Sequence, residues 1–600
     1  MSRGESLVGD IACGVLAVVF LLGFAVLAVR LKELQVDNPA DYNLEKERQL
    51  VRRVQTAGAR GRILDRGGNV LAENRTSFSI VLNAADFQRR SWSGTVSAIT
   101  SAVARVSAAI GRPMTLTYEQ TMRHVRQRLA RPLVVWRDVG PREIAVICER
   151  ADEFPGFSCE ESMERVYPCG ACAAHVIGYV GHAEARSDNG DERFSFRDRD
   201  LYGREGLERY YDEFLRGVPG ETKLWVDARG FTMEEQTVSE PQAGLDLHLT
   251  LDVELQRVVE KELSGERGAC VVMNPTNGEI LAMASAPAFD LRDTLPFFPS
   301  NVYARLSTDP ALPLFNRAAN GGYAPGSTFK PITALAGLGA GLTPDAECFC
   351  DGVFALGAMR LHCARRWGHG KQDLYEALKN SCNPYFCALG YQTGTNAIQA
   401  AARAFGLGSR TGIDLGVDRA GVVPDAEWKQ RVYGQPWRAG DLVQMSIGQG
   451  MLIVSPLQMA RVVGAIGTGY LVRPHLKKDL PYERTPLPFP TNDLEAVRLG
   501  MYKVVNDSDG TGRNGGMDVP FKVCGKTGTA EVGSREHRRK NTWFIAFAPA
   551  DNPRYAVALV VENGQSGGGT AAPKVADILK YAFQKEDRNS NGSGGGRDDG

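Results

Sequence analysis

The chain has 600 residues, too many for one ordinary domain and enough for roughly two to four. Lys plus Arg and Asp plus Glu number 70 each, and 43% hydrophobic with 23% charged residues is ordinary globular composition, which excludes wholesale disorder. No global basic field and no basic patch interleaved with aromatics points to a nucleic-acid partner, and no self-similar period suggests a repeat array.

Ile11 to Val29 is 19 residues without a charge, which as a helix spans about 28 Å, close to a bilayer's hydrocarbon thickness. A cleaved signal peptide is the rival reading, with Val26-Leu27-Ala28 as a poor cleavage site. The run is longer than a signal core and continues into Arg30 and Lys32, so an uncleaved anchor over 11–29 is expected, after a short tail over 1–10. Only Arg3 precedes it, whereas Arg30, Lys32, Lys46 and Arg48 follow. That count points to a cytoplasmic location for the bulk of the chain, but long domains translocate regardless of it.

Residues 36–60 are polar and read as a helical stalk. Arg60 to Ala72 follows as short strands around a Gly-Gly-Asn turn, and 93–130 reads as helix. A polar stretch near 236–245 marks a domain boundary, before the strand LHLTLD and the helix VELQRVVEKEL. ACVVMNP and EILAMASAP read as a hairpin, PITALAGLGAG as a buried helix, and FKVCGKTGTAEV, TWFIAFAPA and YAVALVVEN as three strands. A last helix ends near 583, and the Gly-rich stretch 584–600 reads as a disordered tail.

Ala324-Pro325-Gly326-Ser327-Thr328-Phe329-Lys330-Pro331 opens a helix, because Pro331 is tolerated only in its first turns. Ser327 then stands at the helix start with Lys330 one turn on, along the same face. A serine hydroxyl needs a base, and a lysine serves if its pKa is lowered. Alone, Ser-x-x-Lys is common by chance. It is followed 54 residues on by Ser381-Cys382-Asn383, and a further 145 on by Lys526-Thr527-Gly528-Thr529 inside a strand pattern. Ser381 suits proton relay and the Asn383 amide suits a substrate backbone. Gly528 lets another backbone approach the strand edge, where extended substrate would add. Lys526 with Thr527 and Thr529 suits a carboxylate, and the Ser327 and Thr529 N–H groups suit an oxyanion hole.

These three motifs resemble the signature of penicillin-recognising serine enzymes. RGRILDRGGNVLA (60–72), RVYPCGACAAHVIGYVG (165–181), GREGLERYYDEFLRG (203–217), LTLDVELQ (249–256), NRA (316–318), SIGQG (446–450), SPLQMA (455–460) and WFIAFAP (543–549) are similar to class B penicillin-binding proteins over about 55–583. Trp367-Gly368-His369-Gly370 and the lack of further C-terminal modules resemble the elongation-type branch, penicillin-binding protein 2. The resemblance implies a multidomain protein: a transmembrane helix, an elongated mixed α+β pedestal of the dimerisation type (36–240), and an α/β transpeptidase domain (241–583). That domain would have a serine β-lactamase-like fold, an antiparallel sheet flanked by helices. It further implies a peptidoglycan D,D-transpeptidase: Ser327 as nucleophile, Lys330 as base, Ser381, Asn383 and Lys526 as catalytic partners, and Thr527, Gly528 and Thr529 binding substrate. No cofactor is required for this chemistry. Stem peptides and β-lactams would be ligands, and a membrane glycosyltransferase of the shape, elongation, division and sporulation family a partner. The domain would lie outside the bacterial cytoplasmic membrane, against the charge count.

Twelve cysteines are many for such an enzyme. Cys350-x12-Cys363-x5-His369-x12-Cys382 is a set suited to tetrahedral zinc, with Cys348 and Asp351 as substitutes and Cys387 nearby. Some elongation-type relatives are similar here and hold zinc through Asp, His and Cys. Disulfides or inert buried thiols are the alternatives. Cys148, Cys159, Cys169 and Cys172 are candidates for pairing, but Cys169-Gly170-Ala171-Cys172 lacks the strand–helix setting of a redox motif. His175 and His182 read as structural. Rival functions are a division-type enzyme of the same class, a β-lactamase, and a non-catalytic β-lactam-binding scaffold or sensor.

Overall fold

The computed structural model describes residues 4–37, 51–114, 116–127, 132–182, 196–197, 201–226, 232–295, 298–416, 418–533 and 539–592. The N-terminal apolar run lies in a helix, Gly4–Lys32. Among the described residues one segment is long and apolar enough to cross a membrane, Cys13–Lys32. The expected helical stalk is corrected in part. Val51–Thr56 is a strand, paired antiparallel with Gly220–Val226 through six residue pairs from Val51↔Trp225 to Thr56↔Gly220. Residues 38–50 of that stalk lie outside the described residues.

The pedestal is built on a long strand, Val70–Leu82, paired antiparallel with Phe157–Val166 from Glu73↔Val166 to Leu82↔Phe157. Helix Trp92–Ile110 covers its distal end with Val96, Ile99, Val103 and Val106. Ser91 caps that helix by accepting from the Gly94 N–H, and Gly111 ends it in the left-handed conformation at φ 70°, where a side chain would be strained. Losing such an N-cap costs about 1 kcal/mol.

The pairing of the pedestal continues past residue 240. Strand Thr232–Ser239 closes one of its sheets, and Leu247–His248 pairs in parallel with Ile63–Leu64. Asp65 accepts from the Val253 N–H at 3.2 Å, so a pedestal carboxylate sits at the start of helix Val253–Glu262. Beside this joint, Glu208 is fully buried between Arg165 at 2.8 Å and Arg60 at 2.7 Å. Burial would raise its pKa, but the two guanidiniums outweigh it and hold the carboxyl below the usual range.

The catalytic domain carries a five-stranded antiparallel sheet in the order Ile280–Ala286, Gly268–Met273, Tyr555–Glu562, Arg539–Ala548, Cys524–Val532. Its strands are apolar on both faces because helices cover both. Val271 and Met273 join the core that holds helix Pro456–Thr468, whereas Cys270 and Val272 join the core beneath helices Val253–Glu262 and Ala572–Gly592. That alternation is the two-residue period of a strand. The last helix runs to Gly592, nine residues into the expected disordered tail. Its 572–583 portion is anchored by Val575, Ile578 and Leu579, and helix propagates cheaply from an anchored end. Residues 593–600 lie outside the described residues.

Candidate active site

The first motif folds as the sequence predicts. Gly326–Phe329 is a single tight helical turn leading into helix Lys330–Gly339, with Pro331 in its first turn. Lys330 to Gly337 are all buried, so the helix runs through the core and delivers Ser327, half-buried, at its mouth. Gly326 has φ 56°, and a Cβ there would lie 2.7 Å from the Thr529 carbonyl oxygen. Only glycine permits both the backbone and the approach.

The second motif sits in the turn between helices Leu374–Lys379 and Asn383–Thr393. Ser381 takes φ 53°, a left-handed conformation uncommon for serine and the kind of strain that surrounding structure must impose. Lys330 Nζ donates to the Ser381 carbonyl at 2.7 Å, to Asn383 Oδ1 at 2.7 Å and to Ser381 Oγ at 3.3 Å. Burial lowers the Lys330 pKa to about 8, although the thiols of Cys382, Cys387 and Cys363 pull it upward. A lysine near neutrality is suited to act as a base.

The third motif lies on Cys524–Val532, the edge strand of the sheet. Lys526 is fully buried, and burial followed by the neighbouring Lys330 charge lowers it well below the lysine range. Thr527 Oγ1 bonds Thr511 Oγ1 at 3.2 Å, and Thr529 Oγ1 accepts from the Gly567 N–H at 3.2 Å. Gly528 also permits a close approach within the chain. A Cβ there would meet Thr328 Cγ2 at 2.7 Å and Trp543 Cβ at 3.0 Å, so it is the nucleophile's own turn that comes close. All eight expected catalytic and substrate residues, Ser327, Lys330, Ser381, Asn383, Lys526, Thr527, Gly528 and Thr529, belong to these three adjoining segments.

Sequence reasoning gave no role to Gln449, although it quoted the surrounding SIGQG. Gly448 and Gly450 flank it with φ 71° and 76°, the Gly448 carbonyl accepts from the Gly326 N–H at 2.8 Å, and Gln449 Nε2 donates to the Thr529 carbonyl at 3.4 Å. Two glycines around one polar residue were the available signal. His175 is half-buried, bonded through Nε2 to the Pro313 carbonyl at 2.7 Å and set edge-on to Phe289, with loss of solvation lowering its pKa to about 4. Nothing there faces the three motifs.

The cysteine cluster assembles with the predicted members. The ligand atoms of Cys350, Cys363, His369 and Cys382 all lie within 4.8 Å of one another. Cys350 Sγ and Cys363 Sγ are 3.8 and 3.4 Å from His369 Nδ1, near the edge of about 3.6 Å that a zinc tetrahedron with these atoms would have. Hydrogen bonds from Cys382 and His369 lower the Cys363 thiol against its burial, and Cys382 is raised in return. The lobe also touches the catalytic machinery, since Asn383 Nδ2 donates to the His362 carbonyl at 2.9 Å.

A helix-borne Ser-x-x-Lys, a Ser-x-Asn turn and a Lys-Thr-Gly edge strand around one cleft define a penicillin-recognising serine enzyme. The family model "Penicillin binding protein transpeptidase domain" matches residues 268–580, and "Penicillin-binding Protein dimerisation domain" matches 55–249. The chain belongs to the penicillin-binding protein family. It is 31% identical over 595 residues to the peptidoglycan D,D-transpeptidase MrdA of Haemophilus influenzae, covering 94% of this chain and 90% of that one. Among solved structures it is similar to penicillin-binding protein 2 of Helicobacter pylori in complex with MreC, at 27% identity and TM-score 0.78, over 89% of this chain and 99% of that one. It is also similar to a chain of a peptidoglycan synthase complex that coordinates polymerization and crosslinking, at 28% identity and TM-score 0.71, over 95% and 97%.

Proposed function

We propose that the chain cross-links peptidoglycan stem peptides through a serine acyl-enzyme, as an elongation-type D,D-transpeptidase. The observation that carries the reading is Lys330, a buried amine near neutral pKa held between the nucleophile helix and the Ser381–Asn383 turn. Neutral Lys330 takes the Ser327 proton as Oγ attacks the penultimate D-Ala carbonyl. The Ser327 and Thr529 N–H groups face the oxyanion. The C–N bond then breaks, and the leaving D-Ala amine receives a proton relayed through Ser381. An amine of a neighbouring stem peptide attacks the acyl-enzyme, forms the new amide and restores the Ser327 hydroxyl. Lys526, Thr527 and Thr529 hold the terminal carboxylate, Asn383 the peptide backbone, and Gly528 keeps strand and nucleophile in contact. β-Lactams acylate Ser327 by the same route.

Intact mass of the purified full-length chain with benzylpenicillin tests this. A long-lived adduct of one penicilloyl unit, absent in Ser327→Ala, is expected. No adduct on folded protein favours the scaffold reading, and rapid loss of the adduct a β-lactamase.

The helix Gly4–Lys32 is proposed as a single-pass anchor with the rest of the chain outside the cytoplasmic membrane, where this substrate is found. The pedestal, proposed over 36–240, is the surface offered to elongation partners, including a membrane glycosyltransferase. The similarity to a chain of a polymerizing and crosslinking complex supports that partner.

A structural zinc is proposed at Cys350, Cys363, His369 and Cys382. Three thiolates and an imidazole are a complete donor set, so the ion would brace the lobe and leave the chemistry to Ser327 and Lys330. Cys382 lies between Ser381 and Asn383, so its coordination would hold that strained turn in place.

A further inference from the structure

Cys169 and Cys172 lie outside the active site and outside the Cys3His cluster. The Cys172 N–H donates to the Cys169 carbonyl at 3.2 Å, closing a turn. A closed four-residue turn brings its end Cα atoms within about 7 Å, the range a disulfide spans. Cys169 is half-buried and Cys172 is 5% exposed.

The turn sits at the joint of the two domains. The Cys169 thiol donates to the Val70 carbonyl of the pedestal at 3.8 Å, the Leu291 N–H of the catalytic domain donates to the Gly170 carbonyl at 3.4 Å, and the Arg292 guanidinium packs on Gly170. Helix Val253–Glu262 presents two groups to it three residues apart, on one face. Arg257 Nη2 donates to Cys169 Sγ at 3.5 Å and lies near Cys172. Glu260 Oε1 accepts from the Ala173 N–H and from Gln256 Nε2, both at 2.8 Å, and its carboxylate lies beside the Cys172 thiol.

This division of labour suits dithiol exchange. The guanidinium 3.5 Å from the accessible sulfur places a positive charge where an attacking thiolate would stand. A buried carboxylate on the inner sulfur can receive its proton when that sulfur closes the ring. Burial raises the Glu260 pKa, which makes it a better proton acceptor than an exposed carboxylate.

We infer that Cys169 and Cys172 form a redox-active dithiol that exchanges with disulfide-bearing reagents or proteins, with Arg257 and Glu260 as its positioning residues. Cys169 thiolate attacks a sulfur of the incoming disulfide, forming a mixed disulfide and releasing one thiol. Cys172 gives its proton to Glu260 and attacks Cys169 Sγ, closing the Cys169–Cys172 bond and releasing the second thiol. Two electrons pass from the protein dithiol to the reagent disulfide. Closure replaces the Cys169–Val70 contact by a cross-link within the turn that both domains grip.

The full-length chain in detergent, exposed to oxidised glutathione, provides the test. Both cysteines fall in the tryptic peptide 166–186, which contains no other cysteine. That peptide is expected to lose two hydrogens while binding no glutathione. Glu260→Gln is expected to accumulate glutathione on Cys169, because ring closure is slowed. Arg257→Gln is expected to slow iodoacetamide labelling of Cys169 at neutral pH, because the guanidinium no longer faces the attacking sulfur. Penicillin acylation and the thermal midpoint of each variant show that it is folded. The inference is overturned if, on folded protein, the peptide keeps both thiols, carries two glutathiones, or labels at the same rate with and without Arg257.

Discussion

Asn383 links Lys330 to the cysteine lobe: its Oδ1 accepts from Lys330 Nζ at 2.7 Å, and its Nδ2 is tied to the carbonyl of His362, next to Cys363. Lys330 is therefore aimed by a side chain whose other end is held by the small β lobe that carries the cysteine cluster.

The Lys330 environment sets a pH dependence. Its folded pKa of about 8 lies below its ordinary 10.5, so the neutral base grows in as pH rises through about 8. The rate of penicilloylation at low drug concentration is expected to climb from pH 6 to a plateau near pH 9. The same depression costs stability, because the folded state holds that proton less tightly than the unfolded chain. The cost is full below about pH 8 and is gone by 10.5. Asn383→Ala, which frees the ammonium from Oδ1, is expected to slow acylation by about 10²-fold, read by stopped-flow with a fluorescent penicillin. A slope unchanged across that pH range would argue against Lys330 as the base.

Gly528→Ala places a methyl 2.7 Å from Thr328 Cγ2 and 3.0 Å from Trp543 Cβ. Overpacking of this kind costs about 1–3 kcal/mol, and here it also pushes the edge strand away from the nucleophile turn. A lower thermal midpoint together with slower acylation is the expected result. Loss of stability with acylation intact would show that the cleft does not depend on this contact.

Glu208→Gln leaves Arg165 buried without its counter-charge and Arg60 with Asp212 alone. Breaking a buried pair from one side costs about 3–5 kcal/mol, measured by denaturant unfolding. Because the folded Glu208 pKa is lowered from 4.5, its contribution is full above that value and is lost as pH falls through the folded pKa. The variant is expected to show less acid-dependent loss of stability than the wild type. Acylation per folded molecule stays near wild type, since this network bonds none of the three motifs.

Metal analysis of the purified chain is expected to return one zinc, falling to none in Cys363→Ser/His369→Ala. Stripping with a chelator should lower the thermal midpoint and slow acylation together, because Cys382 and His362 flank the groups that aim Lys330. A chain without zinc that acylates at full rate would remove the metal from the reading.

Much was legible in the sequence because it is local. The apolar run of the anchor, short apolar strands such as Gly268–Met273, and Pro331 in the first turn of helix Lys330–Gly339 follow from neighbours along the chain. The Cys3His spacing likewise named the four residues that come together. Misreadings arose where a distant partner decides. Val51–Thr56 is a strand because Gly220–Val226 pairs with it, and the last helix persists to Gly592, beyond the apolar pattern that identified it.

By itself, then, the sequence determined which chemical groups exist and in what order: a serine, a lysine one turn away, a hydroxyl–amide pair, a lysine–threonine strand and a set of thiols. Only tertiary structure decided what those groups are. Burial brings Lys330 to about 8, Gly528 lies where a Cβ would meet Thr328, and Cys169-Gly170-Ala171-Cys172 acquires Arg257 from a helix 88 residues on. The physical reason is that covalent order sets periodicity and spacing, whereas proton affinity and contact depend on which distant segments displace water around a group.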